Sequence, residues 1–226
     1  MQTARCTELE AMTTYRIIQA GESRSFPAAH AFVERADAQG AARVFVGQGA
    51  GAAFSSAGEL GACPFVAIEL GTECLGVHTG ESGGQEGSNV VGFARFRLGH
   101  ADPSSLVELV RQPQTRDTAI AAAKAAFEAA GLKVAVCGDF PGRIVDRLIR
   151  PYLNAALRRL DEKLASAEDM DKTLCLGLGY PEGPISLLER TGLSEHHDVT
   201  QALYQALGQE PYAPARRAQV ARARDR

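Results

Sequence analysis

Tryptophan is absent from this chain, and Phe, Tyr and Trp together make up only 6% of it. So few rings cannot form a row on which bases stack, which argues against a platform for single-stranded nucleic acid. Nor is there a basic excess, since 24 Lys plus Arg stand against 27 Asp plus Glu, a formal net charge of -3. A footprint for a phosphate backbone is therefore missing, as is a strong field that would steer acidic ligands. No stretch approaches the ~18 consecutive apolar residues of a membrane span. The opening MQTARCTELEAMTTYR holds no apolar core of signal-peptide type. The five cysteines, at positions 6, 63, 74, 137 and 175, are odd in number and include no C-x-x-C pair. They read as reduced thiols of a cytoplasmic protein, not as a disulfide framework or a zinc site. No internal repeat is visible.

What is present is 226 residues, 45% of them hydrophobic and 23% charged, enough for a genuine core in one large or two small domains. Residues 1–13 carry no period and read as a frayed leader, with Met12 a second candidate start. Short apolar runs at 15–18, 43–46, 65–68, 89–97 and 134–136 read as strands. Segments at 28–38, 53–60 and 115–130 read as helices, the last closed by Gly131. Strands alternating with helices predict crossover connections and a mostly parallel sheet. Beyond Pro141-Gly142 the pattern becomes helical throughout. Ile144, Leu148, Leu153, Leu157, Leu160 and Leu164 belong to one apolar stripe of about six turns, with Pro151 inside it as an expected kink. Ser166 opens the next helix, Pro184 another, and Ser194 caps the last, which ends at Gly208. The tail RRAQVARARDR reads as a solvated, frayed end. The expectation is an α/β unit over 1–138 followed by a helical unit over 139–226. Its long stripe must be covered by other helices, by the sheet, or by a second copy.

The helical half carries a specific pattern. It runs from Asp139-Phe140-Pro141-Gly142-Arg143-Ile144-Val145-Asp146-Arg147-Leu148 through Pro151-Tyr152-Leu153-Asn154 to Ala165-Ser166-Ala167-Glu168-Asp169. It ends on Leu176-Gly177-Leu178-Gly179-Tyr180-Pro181 and Gly183-Pro184. This stretch resembles the C-terminal domain of NAD-dependent 3-hydroxyacyl-CoA dehydrogenases, over roughly residues 105 to 208. The resemblance implies a reduced Rossmann-like sheet followed by a helical dimerisation domain of the 6-phosphogluconate-dehydrogenase C-terminal type. It also implies an acyl-CoA ligand, NAD as cofactor, a homodimer formed through the helical half, and a role in fatty-acid metabolism.

The resemblance can be carried onto individual positions. The family opens with a strand and a G-x-G-x-x-G turn, whose glycines let backbone approach a pyrophosphate. Here that stretch is Ile18-Gln19-Ala20-Gly21-Glu22-Ser23-Arg24, which keeps only the middle glycine. A second Gly-rich turn, Gly47-Gln48-Gly49-Ala50-Gly51-Ala52, follows the next strand, and Glu69 lies twenty-two residues beyond Gly47 as a ribose partner should. Gly47, Gly49 and Glu69 are thus the candidate cofactor residues; the alternative is a flexible turn in a shrunken sheet. Glu108 matches the Glu that orients the family's catalytic His, the base for the hydroxyl proton. Val91-Gly92-Phe93-Ala94 places Ala94 where that His belongs, whereas His100 becomes its equivalent if the following loop is shortened. Asp146 stands at the family's Asn and Arg143 at its Phe, while Glu73 replaces a substrate-contacting Ser. An ionised Asp cannot donate to a carbonyl that gains charge. Glu108, His100 and Asp146 form the candidate catalytic set. His196-His197 reads as a solvated helix start, because adjacent helix residues diverge by about 100° and do not make a metal pair.

Scaffold signals persist while reaction groups change, so the expectation is a degenerate family member acting as a dimeric acyl-CoA-binding or accessory protein. One alternative is an active, compact NAD-dependent dehydrogenase using Gly47, His100 and Glu108. Another is an accessory subunit whose helical stripe docks a full-length relative.

Overall fold

The computed structural model describes residues 13–81 and 88–225, so the expected leader over 1–13 and its Met12 lie almost wholly outside the described residues. Six strands form one sheet: β1 (Tyr15–Gln19), β2 (Ala42–Val46), β3 (Val66–Glu69), β4 (Val90–Arg95), β5 (Leu106–Arg111) and β6 (Lys133–Gly138). They lie side by side in chain order, β1-β2-β3-β4-β5-β6. Only the β4–β5 pairing is antiparallel. The mostly parallel sheet is as expected, but β5 was not anticipated as a strand. Its sequence LVELVR is buried at its four central positions, so no solvent face marks it out.

The period-2 alternation of each strand sends neighbouring residues to opposite faces. Val44, Val46, Val91, Phe93, Val107 and Leu109 face one core. There they meet Phe32 of α1 (Ala31–Glu34) and Phe127 of α4 (Asp117–Ala129). The rings of Phe32 and Phe127 stack with centroids 4.4 Å apart. Phe45, Val66, Ile68 and Val110 face the other core, against Ala50 and Phe54 of α2 (Ala50–Ser55) and Leu75, which precedes α3 (Gly76–Thr79). Helices on both faces of a mainly parallel sheet make the Rossmann-like layering. The expected helix over 28–38 shrinks to the four residues of α1.

Every element after β6 is helical: α5 (Val145–Asp161), α6 (Ala167–Leu178), α7 (Pro184–Thr191), α8 (Leu193–Leu207) and α9 (Arg216–Arg224), with a 3-10 turn at Glu210–Tyr212. Ser166 accepts from the Asp169 amide at 3.1 Å and opens α6 as expected. Pro184 starts α7, whose first amides, Ile185 and Ser186, are held by the buried Asp171 carboxylate at 2.9 Å each. Gly208 closes α8 in the left-handed conformation. Two expectations need correcting. Ser194 does not cap α8, since its hydroxyl bonds Asp225 instead. The tail is helix, pinned where Arg216 and Arg217 pair with Asp161 and Arg222 with Asp198. The α5 stripe divides: Leu153, Ala156 and Leu157 are buried, whereas Leu148 is 73% exposed.

The two halves are joined by backbone caps supplied from side chains. Asp139, just after β6, accepts from the Leu75 and Gly76 amides at 2.6 and 2.8 Å. Glu108 on β5 accepts from the Ile144 and Val145 amides at the start of α5, both at 2.8 Å. These bonds fix the helical half against the carboxyl ends of the parallel strands.

Candidate functional site

A cleft of about 950 Å³ opens at the carboxyl ends of β1, β2 and β3, lined by Gln19, Arg24, Gly47, Glu69 and His78 among others. That is the end of an open α/β sheet where ligands sit. The size suits a cofactor-scale or drug-scale molecule.

The Gly47 turn lies on this cleft, yet its first four amides are occupied. Gly47 N–H donates to Glu69 Oε2 at 2.6 Å. Gln48, Gly49 and Ala50 amides donate to the carbonyls of Glu22, Ala20 and Gly47 at 3.1, 2.8 and 3.0 Å. The turn is glycine because another chain segment crosses it: a Cβ at Gly47 would lie 2.5 Å from the Ala20 carbonyl oxygen. Gly49 meets the same oxygen, and at Gly51 a Cβ would fall 2.2 Å from the His78 ring. Glu69 is equally committed, its second oxygen accepting from Ser23 Oγ at 3.0 Å and from the Ser25 amide at 2.6 Å. At 6% exposure it staples the β1 loop to the β2 turn, with both oxygens already accepting hydrogen bonds. After β1 itself, residues 20–30 intervene before the four-residue α1, so no helix N-terminus follows that strand to hold a phosphate. The amides of Gly47 to Ala50 are thus engaged within the protein, which leaves only the start of the six-residue α2 to meet a pyrophosphate.

The catalytic candidates separate. Across the antiparallel ladder the residue paired with Glu108 is Ala94, on the same face of the sheet. His100 lies elsewhere: it is exposed, its Nε2 sits 2.9 Å from Glu195, and its amide donates to Thr191 O. The structure therefore brings Glu108 opposite an alanine and does not bring His100 to it. Asp146 lies close to Glu108 in a small recess at the inner end of the cleft, but its carboxylate is taken by Arg150, Nε to Oδ1 at 2.7 Å.

Arg143 fills the space beside Glu108. Its backbone is left-handed, φ 51°, a conformation uncommon for a residue with a Cβ. The side chain, 4% exposed, lies with Nε 3.4 Å from Glu108 Oε2, and Nη2 donates to Gly71 O at 2.6 Å. Sequence reasoning noted this Arg only as a departure from Phe. The signal for its role is its place directly after Gly142, in the turn that Glu108 caps.

Behind Asp146 runs a buried polar chain. Arg150 Nη1 donates to His196 Nδ1 at 3.0 Å, and His196 Nε2 donates to Asn154 Oδ1 at 3.0 Å. Asn154 Nδ2 in turn donates to the Pro211 and Ala213 carbonyls. Because Arg150 can only donate, His196 must be neutral with its proton on Nε2. Burial, helped by the Arg150 charge, pulls its pKa down to about 3. His196 is thus a satisfied core histidine, which corrects its reading as a solvated helix start. Burial likewise pushes the Cys137 thiol up to about 11, so it is no ready nucleophile. Among the described residues no cluster of His, Cys, Asp and Glu could hold a metal ion, and no helix is long and apolar enough to cross a membrane.

Comparison with known proteins bears on the same two halves. Residues 142–224 match the family model described as 3-hydroxyacyl-CoA dehydrogenase, C-terminal domain. The 3-hydroxybutyryl-CoA dehydrogenase of Bradyrhizobium diazoefficiens is 36% identical over 109 residues, 48% of this chain and 37% of that protein. The helical half is thus similar to the C-terminal domain of 3-hydroxyacyl-CoA dehydrogenases. The mitochondrial hydroxyacyl-coenzyme A dehydrogenase of Homo sapiens is also similar, 35% identical over 106 residues, 47% of this chain and 34% of that protein. The matched part of the chain thus spans well under half the length of these curated relatives. In fold, the (S)-3-hydroxybutyryl-CoA dehydrogenase from Ralstonia eutropha superposes with a TM-score of 0.67 at 24% identity, covering 82% of this chain and 66% of that one. The similarity of fold therefore reaches into the sheet, beyond the part that sequence alone matches.

Proposed function

We propose that this chain is a non-dehydrogenase member of the 3-hydroxyacyl-CoA dehydrogenase family, a dimeric acyl-CoA-binding or accessory protein of acyl-CoA metabolism. In this reading an α/β unit over 1–138 provides the cleft and a helical unit over 139–226 the dimer contact. The observation that carries it is the fate of Glu108. Its cross-strand partner is Ala94, and its carboxylate is spent on the Ile144 and Val145 amides and on Arg143. A Glu so engaged has no histidine to orient, and the chemistry lacks its base. The occupied amides of the Gly47 turn support the same conclusion for NAD. The relatives' names speak of hydroxyacyl-CoA and hydroxybutyryl-CoA, which makes a thioester-sized acyl-CoA the ligand class to try first in the cleft. A reducing, cytoplasmic setting belongs to this reading, with Cys63, Cys74, Cys137 and Cys175 as free thiols.

The purified protein is expected to show no saturable NADH binding at micromolar concentration by fluorescence or calorimetry, and no NADH formation from 3-hydroxybutyryl-CoA and NAD. Saturable binding of about -8 kcal/mol, or any hydride transfer abolished by His100→Ala, would restore the compact dehydrogenase.

The helical surface supports the dimer in this reading. Leu148, Leu176 and Leu178 are 73%, 78% and 64% exposed on α5 and α6, and Leu164 between those helices is 70% exposed. So much open leucine on one half marks an interaction surface. Light scattering is expected to give twice the chain mass, and Leu148→Glu or Leu176→Glu to give the single chain. A monomer that pairs only when mixed with a full-length relative would favour the accessory-subunit reading instead.

A further inference from the structure

The recess at the inner end of the cleft has room for about one water-sized group, about 10 Å³, and is shared with the main cleft through Arg24, Leu70, Gly71 and Arg97. Four arginines and two carboxylates line it. Both carboxylates are committed: Asp146 to Arg150, and Glu108 through Oε1 to two backbone amides and through Oε2 to Arg143 Nε at 3.4 Å. Among the arginines, Arg95 is spent on the Ser25, Pro103 and Ser104 carbonyls. Arg97 gives its Nε to Ala101 O, and Arg24 gives one nitrogen to Arg97 O at 2.7 Å. Two buried nitrogens of Arg143 make no hydrogen bond among the described residues: Nε, which faces Glu108 at ion-pair distance, and Nη1, which has no such partner. A guanidinium has donors only, so what the recess lacks is an acceptor, and the surplus charge selects an anionic one. The left-handed backbone at Arg143 adds to the cost of keeping this residue here.

We propose that the recess is an anion-recognition site in which Arg143 Nη1 holds an oxygen of a carboxylate or phosphate group. The rest of the ligand lies in the main cleft, past Arg24 and Arg97. The site does not depend on the acyl-CoA reading, since the ligand is defined only by its charged end. It places recognition where the family pattern would place reaction, opposite Ala94 and beside Glu108.

The test is thermal unfolding and calorimetry of the full chain titrated separately with inorganic phosphate and with sodium acetate, ionic strength held constant with chloride. Wild type is expected to gain stability saturably with one of the two, at millimolar affinity or tighter; phosphate prevailing identifies a phosphate-bearing ligand, acetate a carboxylate. Arg143→Gly accepts the left-handed backbone but leaves the buried Glu108 with its amide partners alone, so it is expected to fold with reduced baseline stability while losing the response to the anion. Arg24→Gln, at an exposed side chain, is expected to bind about tenfold more weakly. An equal response in wild type and Arg143→Gly, or no response from wild type, would mean the recess holds water only and would overturn the proposal. NADH binding is a separate readout and leaves this outcome unaffected.

Discussion

Glu108→Ala is expected to lower the stability of the protein by about 3–5 kcal/mol, a loss comparable to the whole folding margin of a small domain. The substitution removes the cap from the Ile144 and Val145 amides and leaves the 4%-exposed Arg143 side chain without its ion-pair partner. Denaturant unfolding of the variant checks this. The double variant Glu108→Ala/Arg143→Gly separates the causes, because deleting the orphaned charge should recover a large part of the loss while the uncapped amides remain. A Glu kept for chemistry behaves in the opposite way, since removing a catalytic carboxylate commonly leaves stability unchanged or improved. A Glu108→Ala protein as stable as wild type would therefore return Glu108 to the catalytic set.

A comparably large effect is expected from acid. The folded His196 has a pKa of about 3 against an ordinary value of 6.5. Between those values the unfolded chain binds the proton and the folded one does not, so stability falls as pH falls. The contribution is complete above pH 6.5 and is lost at about 1.4 kcal/mol per pH unit down to about pH 3. Carboxylates such as Asp161, whose pKa is lowered by its hydrogen bond to Arg216, titrate in the lower part of the same window and add to the slope. His196→Asn isolates the histidine: the baseline stability drops, but the slope between pH 6 and 4 should be shallower than wild type by about one proton. Parallel slopes would mean that His196 is charged in the folded protein, and the donor assignment along Arg150–His196–Asn154 would be wrong.

Much of the architecture could be read from local pattern, because strands buried between helices and capped helices leave residue-level marks. Pro184, Ser166, Gly131 and Gly208 all punctuate the chain where their chemistry requires. What escaped reading depended on partners far away in sequence. The α9 helix has almost no apolar face, and it holds its place through Arg216 and Arg217 on Asp161, fifty-five and fifty-six residues back. Glu69 shows how a spacing can mislead. Its distance from Gly47 suits a ribose partner, yet the fold uses that separation to bring its carboxylate onto the Gly47 amide. The choice between Ala94 and His100 as the partner of Glu108 is a matter of strand register, which depends on where the β4–β5 connection turns. Arg143 was visible as an unexpected residue, but its unpartnered Nη1 is a property of three-dimensional packing.

The strand order of the sheet has a consequence for how the protein forms. A doubly wound sheet of order 3-2-1-4-5-6 builds outward in both directions from its first strand. Here every strand pairs with the one made just before it. Each new strand emerging from the ribosome finds its template already exposed at the growing edge, so the sheet can assemble vectorially. Each closure joins a strand to the one just before it, so no pairing waits for a distant strand. The price is deferred to the end: Ile144 and Val145, which receive the Glu108 cap, are synthesised after the whole sheet. Until α5 docks, that buried carboxylate has no partner, which makes docking of the helical half the step that completes folding.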